Sequence, residues 1–195
     1  GATAGNYSFT YVDGAVTVNQ RPITVTASSA SVTYGDSVPT ITPSYSAFQN
    51  SETSSVVSGI SCSTTYVVTS AFGTVPTTSC SGATATDYSF SYTGGTVTIA
   101  KKTLTITASS ITPTYGDAAP TVSPSYSGFV NDQTSTALST QPTCTTTFTS
   151  STTVAAGGTT SCSGAAATNY SFSYVSGTAT VQRKLVTVTP TSPTV

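Results

Sequence analysis

Apolar and polar residues alternate in short runs along this chain, and the runs return. In Ile23-Thr24-Val25-Thr26, and again in Leu104-Thr105-Ile106-Thr107, the apolar side chains fall on one face and the threonines on the other. That period of two predicts a strand with one buried face. Tyr88, Phe90 and Tyr92 share a face opposite Ser89 and Ser91; the run recurs at Tyr170, Phe172 and Tyr174, and at Tyr7, Phe9 and Tyr11. Asp13-Gly14, Gly94-Gly95 and Ser176-Gly177 follow the three runs, and a second alternating run such as Thr96-Val97-Thr98-Ile99 comes next. Two-residue Gly-bearing turns between alternating runs predict a hairpin at each place. The aromatic row reads as core packing rather than a sugar-binding face. No segment sustains a period of 3.6, so the predicted fold class is all-β.

The recurrence extends to whole blocks. Tyr34-Gly35-Asp36 with Pro39 returns as Tyr115-Gly116-Asp117 with Pro120; Tyr45 and Phe48 return as Tyr126 and Phe129. In the Tyr-Gly-Asp motif, Gly allows a positive φ, Asp is expected to bond its own backbone two residues on, and Pro fixes an extended exit. This makes the motif a turn. A polar bend follows at Asn50-Ser51-Glu52 and Asn131-Asp132-Gln133, then a single helical turn near Val56-Val57 and Ala137-Leu138. Residues 22–101 therefore form one repeat and 103–183 a second. Residues 1–20 read as the C-terminal hairpin of a preceding repeat, with Gly1 aligned to Gly82 and Gly164, and residues 184–195 as the first strand of a following one. On that reading the chain is a window onto a longer repetitive fibre.

Units of about 80 residues bury a marginal core and are expected to need a covalent staple. Four cysteines allow three pairings. Each repeat holds its own pair at the same spacing, and this selects Cys62 with Cys80 and Cys144 with Cys162. A metal site would leave coordination unfilled, since the chain has no His, and no base is at hand to activate a thiol. Structural disulfides imply an extracytoplasmic location.

Charged residues make up only 6% of the chain and the net charge is −1, which removes the electrostatic case for nucleic acid or an anionic membrane. No apolar run reaches the ~18 residues of a membrane span. Arg21, Lys101, Lys102, Arg183 and Lys184 all fall where one repeat hands over to the next, and read as a solvated junction. The acids Asp13, Asp36, Glu52, Asp87, Asp117 and Asp132 sit mostly in turns and suggest neither a catalytic pair nor a dense calcium loop. No catalytic residue, metal or cofactor is expected. Asn6-Tyr7-Ser8 and Asn169-Tyr170-Ser171 match a glycosylation sequon, but Asp87 at the middle copy points to a turn or cap role.

The strand at Leu104-Thr105-Ile106-Thr107, the turn Tyr115-Gly116-Asp117 with Pro120, the block Tyr126-Ser127-Gly128-Phe129-Val130-Asn131-Asp132, and Cys162-Ser163-Gly164 leading to Asn169-Tyr170-Ser171-Phe172-Ser173-Tyr174 together resemble the MBG repeats of the Tyr-Gly-x type. The resemblance covers essentially the whole chain. It implies a small β-grasp-like or immunoglobulin-like unit, repeated in tandem in large bacterial surface adhesins and secreted fibrous proteins. The cysteine pair resembles repeats from Gram-positive bacteria. With only a couple of residues between units, an end-to-end rod is expected, each unit touching mainly its neighbours. The expected function is a stalk or spacer at the cell surface. The alternatives are a carbohydrate- or host-binding module using Tyr45, Tyr66 or Tyr126, and a fibre in which identical chains associate laterally.

Overall fold

A computed structural model describes residues 1–191. Thirteen strands and two short 3₁₀ turns account for its regular structure, and the two repeats fold into two units of the same design. Unit one contains β1 (Arg21–Ala27), β2 (Ala30–Thr33), β3 (Pro43–Tyr45), a 3₁₀ turn (Ser54–Val56), β4 (Ser61–Thr64), β5 (Thr77–Ser81), β6 (Tyr88–Thr93) and β7 (Gly95–Ala100). Unit two contains β8 (Lys102–Ala108), β9 (Pro124–Ser127), a 3₁₀ turn (Ser135–Ala137), β10 (Thr143–Thr146), β11 (Gly158–Ser163), β12 (Tyr170–Val175) and β13 (Gly177–Ala179).

Each unit is a sandwich of two small sheets. In unit one, β3-β1-β6 faces β2-β7-β5-β4. Val25 and Ala27 of the first sheet and Cys80 of the second meet in one core with Ile41, packed round by Ala30, Tyr45, Ile60, Cys62 and Phe90. Unit two repeats this with β12-β8-β9 facing β10-β11-β13, and isolated bridges from Ile111 to Ala179 and Thr114 to Gln182 stand where β2 pairs in unit one. Ile106, Ala108, Ile111, Val122, Phe148, Cys162, Ala179 and Val181 form its core. The alternation read from sequence places these side chains, since every second residue from Ile23 in β1 and from Leu104 in β8 is buried. Both units are all-β, and no helix lies across a sheet among the described residues.

The strand partners differ from the expected hairpins. β6 pairs in parallel with β1, from Arg21↔Tyr88 to Thr26↔Thr93, and β12 pairs likewise with β8. β7 leaves for the other sheet, where it lies parallel to β2 and antiparallel to β5. The chain changes sheet five times in unit one, and two of these crossings, from β1 to β2 and from β6 to β7, lie side by side. Gly94 and Gly95 keep φ outside the left-handed region. They serve close approach instead: a Cβ on Gly94 would lie 2.8 Å from the Thr78 carbonyl oxygen, and one on Gly95 2.8 Å from Ser29 Oγ and 2.9 Å from the Ala27 carbonyl oxygen. Residues 1–20 correspondingly form no hairpin and no strand; β1, β2 and β5, the partners that such strands need, already hold β6 and β7. Residues 184–191 form no strand either, and the rest of the strand expected at 184–195 lies outside the described residues.

One pair of residues holds the crossings together. Thr78 is 1% exposed and Thr160 fully buried. Thr78 Oγ1 donates to the Ser28 carbonyl (2.9 Å) at the β1–β2 crossing and accepts from the Gly95 N–H (3.0 Å) at the β6–β7 crossing. Ser29 Oγ accepts from Thr96 N–H at 3.1 Å. Unit two repeats the bonds from Thr160 to Ser109 (2.8 Å) and from Thr178 N–H to Ser110 Oγ (3.1 Å).

Candidate functional site

A third core lies between the units, and it brings most of the recurring residues to one place. Tyr34, Tyr66, Val97 and Ile99 of unit one pack against Leu104, Leu138 and Tyr170 of unit two. Only Lys101 separates β7 from β8. The chain therefore passes directly from one sandwich into the next, with no length free for hinging.

Unit one contributes its Tyr-Gly-Asp turn. Gly35 takes φ +85°, and Asp36 N–H donates to the Thr33 carbonyl (2.9 Å). The Asp36 carboxylate accepts from Thr33 N–H at 2.8 Å, three residues back rather than two residues on, because Asp36 closes the turn instead of opening it. Tyr66, carried by the β4–β5 connection, donates its hydroxyl to the Asp36 carbonyl at 2.8 Å. Tyr34 is thereby aimed at unit two, where it meets Tyr170 edge-on at 5.7 Å between centroids. Gly35 also leaves room for the neighbour, since a Cβ there would run into the side chain of Val130.

Unit two contributes a socket. Asn131 and Asp132 both take φ +56°, two consecutive left-handed residues that make a tight turn closed by Gln133 N–H on the Val130 carbonyl (3.2 Å). This turn sets Gln133 between two phenols. Its Oε1 accepts from the Tyr170 hydroxyl (2.6 Å), and its Nε2 donates to the Tyr34 hydroxyl (3.1 Å). Asn169 Oδ1 accepts from Phe72 N–H (2.9 Å), and Asn131 Nδ2 donates to the Val68 carbonyl (3.0 Å). Lys101 lies 5.0 Å from the centre of the Phe72 ring, a cation–π contact across the same seam. Behind the socket, Phe129 packs tilted against Tyr126 at 5.7 Å and edge-on against Tyr170 at 5.4 Å. Burial raises the pKa of Tyr170 above the usual phenol value, because the ionised form would sit in an apolar seam.

The same parts exist a second time, unjoined. Tyr115-Gly116-Asp117 at the far end of unit two repeats the turn, with Gly116 at φ +89°. Yet Tyr115 is 44% exposed where Tyr34 is 2% exposed. Asp117 pairs with Lys184 at 3.3 Å on an open surface. At the near end of unit one, Tyr88 donates to Glu52 and accepts from Gln49 N–H (3.1 Å), as Tyr170 does with Gln133 and Val130. That hydrogen bond to the carboxylate is the main reason the Tyr88 pKa is raised. Phe48 packs tilted against Tyr45 at 5.6 Å and edge-on against Tyr88 at 5.4 Å. A cavity of about 470 Å³ opens here, bordered by Arg21, Gln49, Glu52, Asp87 and Tyr88 and by residues 18–20.

The cysteines staple each unit behind its joint. Cys62 is bonded to Cys80 and Cys144 to Cys162, each pair directly opposite across an antiparallel ladder with Cα atoms 4.0 Å apart. Each bridge closes the connection that carries Tyr66 or Phe148, and stabilises its unit by about 3 kcal/mol in the chain-entropy model. The exposed ends of the aromatic rows act locally: the Tyr92 hydroxyl accepts from Ala83 N–H (2.8 Å) and that of Tyr174 from Ala165 N–H (2.9 Å). No three His, Cys, Asp or Glu side chains converge among the described residues, and no helix there is long and apolar enough to cross a membrane.

Sequence reasoning located the turn motif and the cysteines, but took the junction as solvated and missed Gln133, Asn169, Val130 and Thr78. The available signal was correspondence in register, of Gln133 with Glu52, Asn169 with Asp87 and Thr78 with Thr160, whereas Val130 matches the unlike Gln49. No curated protein matches the chain. The family profile of the MBG domain (YGX type) matches residues 23–98 and 104–180, so the chain belongs to that family and carries two of its domains in tandem.

Proposed function

We propose that this tandem of MBG domains is a structural spacer in an exported bacterial protein, holding other parts of that protein at a distance from the cell surface. The observation that carries the reading is the joint. A single residue separates the last strand of one unit from the first strand of the next, and a buried cluster spans the two. Such a connection transmits orientation, which a spacer needs and a flexible linker lacks. The two disulfides and the family membership both support an oxidising compartment outside the cytoplasm. Gram-positive origin is part of the proposal and rests on the cysteine-bearing form of the repeat. No catalytic role is proposed.

A binding module for carbohydrate or a host protein draws less support. Of the tyrosines it would use, Tyr66 is buried in the joint, and Tyr45 and Tyr126 are half-buried against Phe48 and Phe129. Backbone ¹⁵N relaxation and residual dipolar couplings on the whole chain test the spacer. The expected result is one alignment tensor and one tumbling time for units one and two. Independent tensors for the two units would sink the reading.

A further inference from the structure

We propose that each unit is a tension clamp: when the chain is pulled along its length, the segments that open and close a unit resist by shear. Bearing tension is thus a second function of the tandem. The inference rests on the spacer reading, which supplies the load.

Unit one opens with β1, which continues past Ser28-Ser29 as β2, and closes with β6, which continues past Gly94 as β7. β1 pairs in parallel with β6, and β2 in parallel with β7. The crossing does not shift the register, since Arg21↔Tyr88 and Ala30↔Val97 are each 67 residues apart. The opening and closing segments therefore form one parallel ribbon that passes from one sheet to the other without slipping. Backbone bonds close both ends of it, from Arg21 N–H to the Asp87 carbonyl (2.9 Å) and from Tyr34 N–H to the Ala100 carbonyl (2.9 Å). Where the ribbon changes sheet, Thr78 Oγ1 bonds both strands, at the Ser28 carbonyl and the Gly95 N–H. Unit two is built alike. β8 pairs in parallel with β12, and parallel bridges at Ile111↔Ala179 and Thr114↔Gln182 continue the register, 68 residues apart. Its end bonds run from Lys102 N–H to the Asn169 carbonyl (3.0 Å) and from Tyr115 N–H to the Gln182 carbonyl (2.9 Å).

Direction decides what tension does to this ribbon. The chain enters unit one at Arg21, the foot of the ribbon, and leaves at Ala100, its head. Because the strands are parallel, pulling at these two points drives them in opposite senses along their common axis. The load falls on all the rungs together. An antiparallel first and last strand, with both chain ends at one side, would instead unzip one rung at a time. The load then passes straight to the next clamp. Lys101 alone lies between Ala100, held by Tyr34 at the head of the first ribbon, and Lys102, held by Asn169 at the foot of the second. The disulfides lie off this path, in the β4·β5 and β10·β11 ladders. Their part under tension is to limit extension, since each keeps a span of 18 residues out of the length released when its unit opens.

Single-molecule force spectroscopy of the full chain, held by its two ends at constant force, tests the clamp. Two steps are expected, one per unit. The comparison is the same chain held through clickable side chains at positions 20 and 86, both exposed and both at the foot of the ribbon. Pulling there peels β1 from β6 one rung at a time. At equal force, unit one should open at least about tenfold more slowly end to end than from that side. Tenfold is about 1.4 kcal/mol of barrier, close to one extra rung broken at the same moment. A reducing agent should lengthen each end-to-end step by about 60 Å, from 18 residues at ~3.3–3.6 Å each. It should change the opening rate by no more than about threefold, because a disulfide acts chiefly on the unfolded chain. Equal opening rates in the two geometries would overturn the inference. So would a larger acceleration on reduction, which would place the resistance in the disulfide-bearing ladders. The spacer reading is judged separately by the alignment of units one and two. A rigid joint between units that open as fast end to end as from one side would sink only the clamp.

Discussion

Thr78 shows how much one hydroxyl can organise. It accepts from the backbone of one crossing and donates to the backbone of the other, inside a core where neither partner can turn to water. Thr78→Val keeps the shape and removes both bonds, leaving the Ser28 carbonyl and the Gly95 N–H unsatisfied. Unit one should lose about 1–3 kcal/mol for such a change; Thr160→Val, which removes the one bond to the Ser109 carbonyl, should cost unit two about 1 kcal/mol. Urea unfolding monitored by tyrosine fluorescence measures this; a loss below about 0.5 kcal/mol would show that the crossings do not depend on the hydroxyl. A buried Thr cannot be picked out of this chain by composition, because Thr also occupies outward positions in strands such as β1, β7 and β10. The Tyr-Gly-Asp turn was legible for the opposite reason. Gly and Asp have few roles in an otherwise β-branched run, and Gly35 and Gly116 both take the positive φ expected of them.

At the level of elements, the strands could be read and their partners could not. Alternation states which residues share a face, and it predicted the buried positions of β1, β7 and β8. It carries no information on which strand lies alongside, so two runs joined by Gly94-Gly95 looked like a hairpin. The glycines belong instead to the place where the backbone of β7 crosses close over β1 and β5. This distinction is measurable. Gly95→Ala forces a Cβ to within 2.9 Å of the Ala27 carbonyl and should destabilise unit one by about 1–3 kcal/mol. Gly14 occupies the matching position of the first run and has nothing within 4 Å, so Gly14→Ala should leave stability within about 0.5 kcal/mol. Equal effects in thermal unfolding would mean that the crossing tolerates a side chain and that the glycines serve the turn after all.

Across the whole molecule, the repeat unit and the joint are separate matters, and the sequence described the first far better. Tyr34 and Tyr115 sit in the same motif with the same backbone, yet one is buried and the other is open. No local pattern distinguishes them, because the burial of each depends on whether a neighbouring unit presents a Gln133-like side chain and a Tyr170-like ring. The basic residues added to the difficulty: they suggested a wet seam, whereas Lys101 lies over Phe72 and the core continues beneath it. If the joint couples the units, substitution at the two tyrosines must differ in kind as well as in size. Tyr34→Ala removes a ring packed between the units and should cost about 3–5 kcal/mol. Tyr115→Ala at low protein concentration should cost no more than about 0.5 kcal/mol. Calorimetry should show the wild-type chain and Tyr115→Ala melting in one transition, because each unit covers part of the other's core. Tyr34→Ala should split that transition in two, with unit one and unit two melting apart. A single unshifted transition for Tyr34→Ala would mean that Val97, Ile99, Leu104 and Leu138 hold the seam without it, and that the phenol bonded to Gln133 only trims the joint.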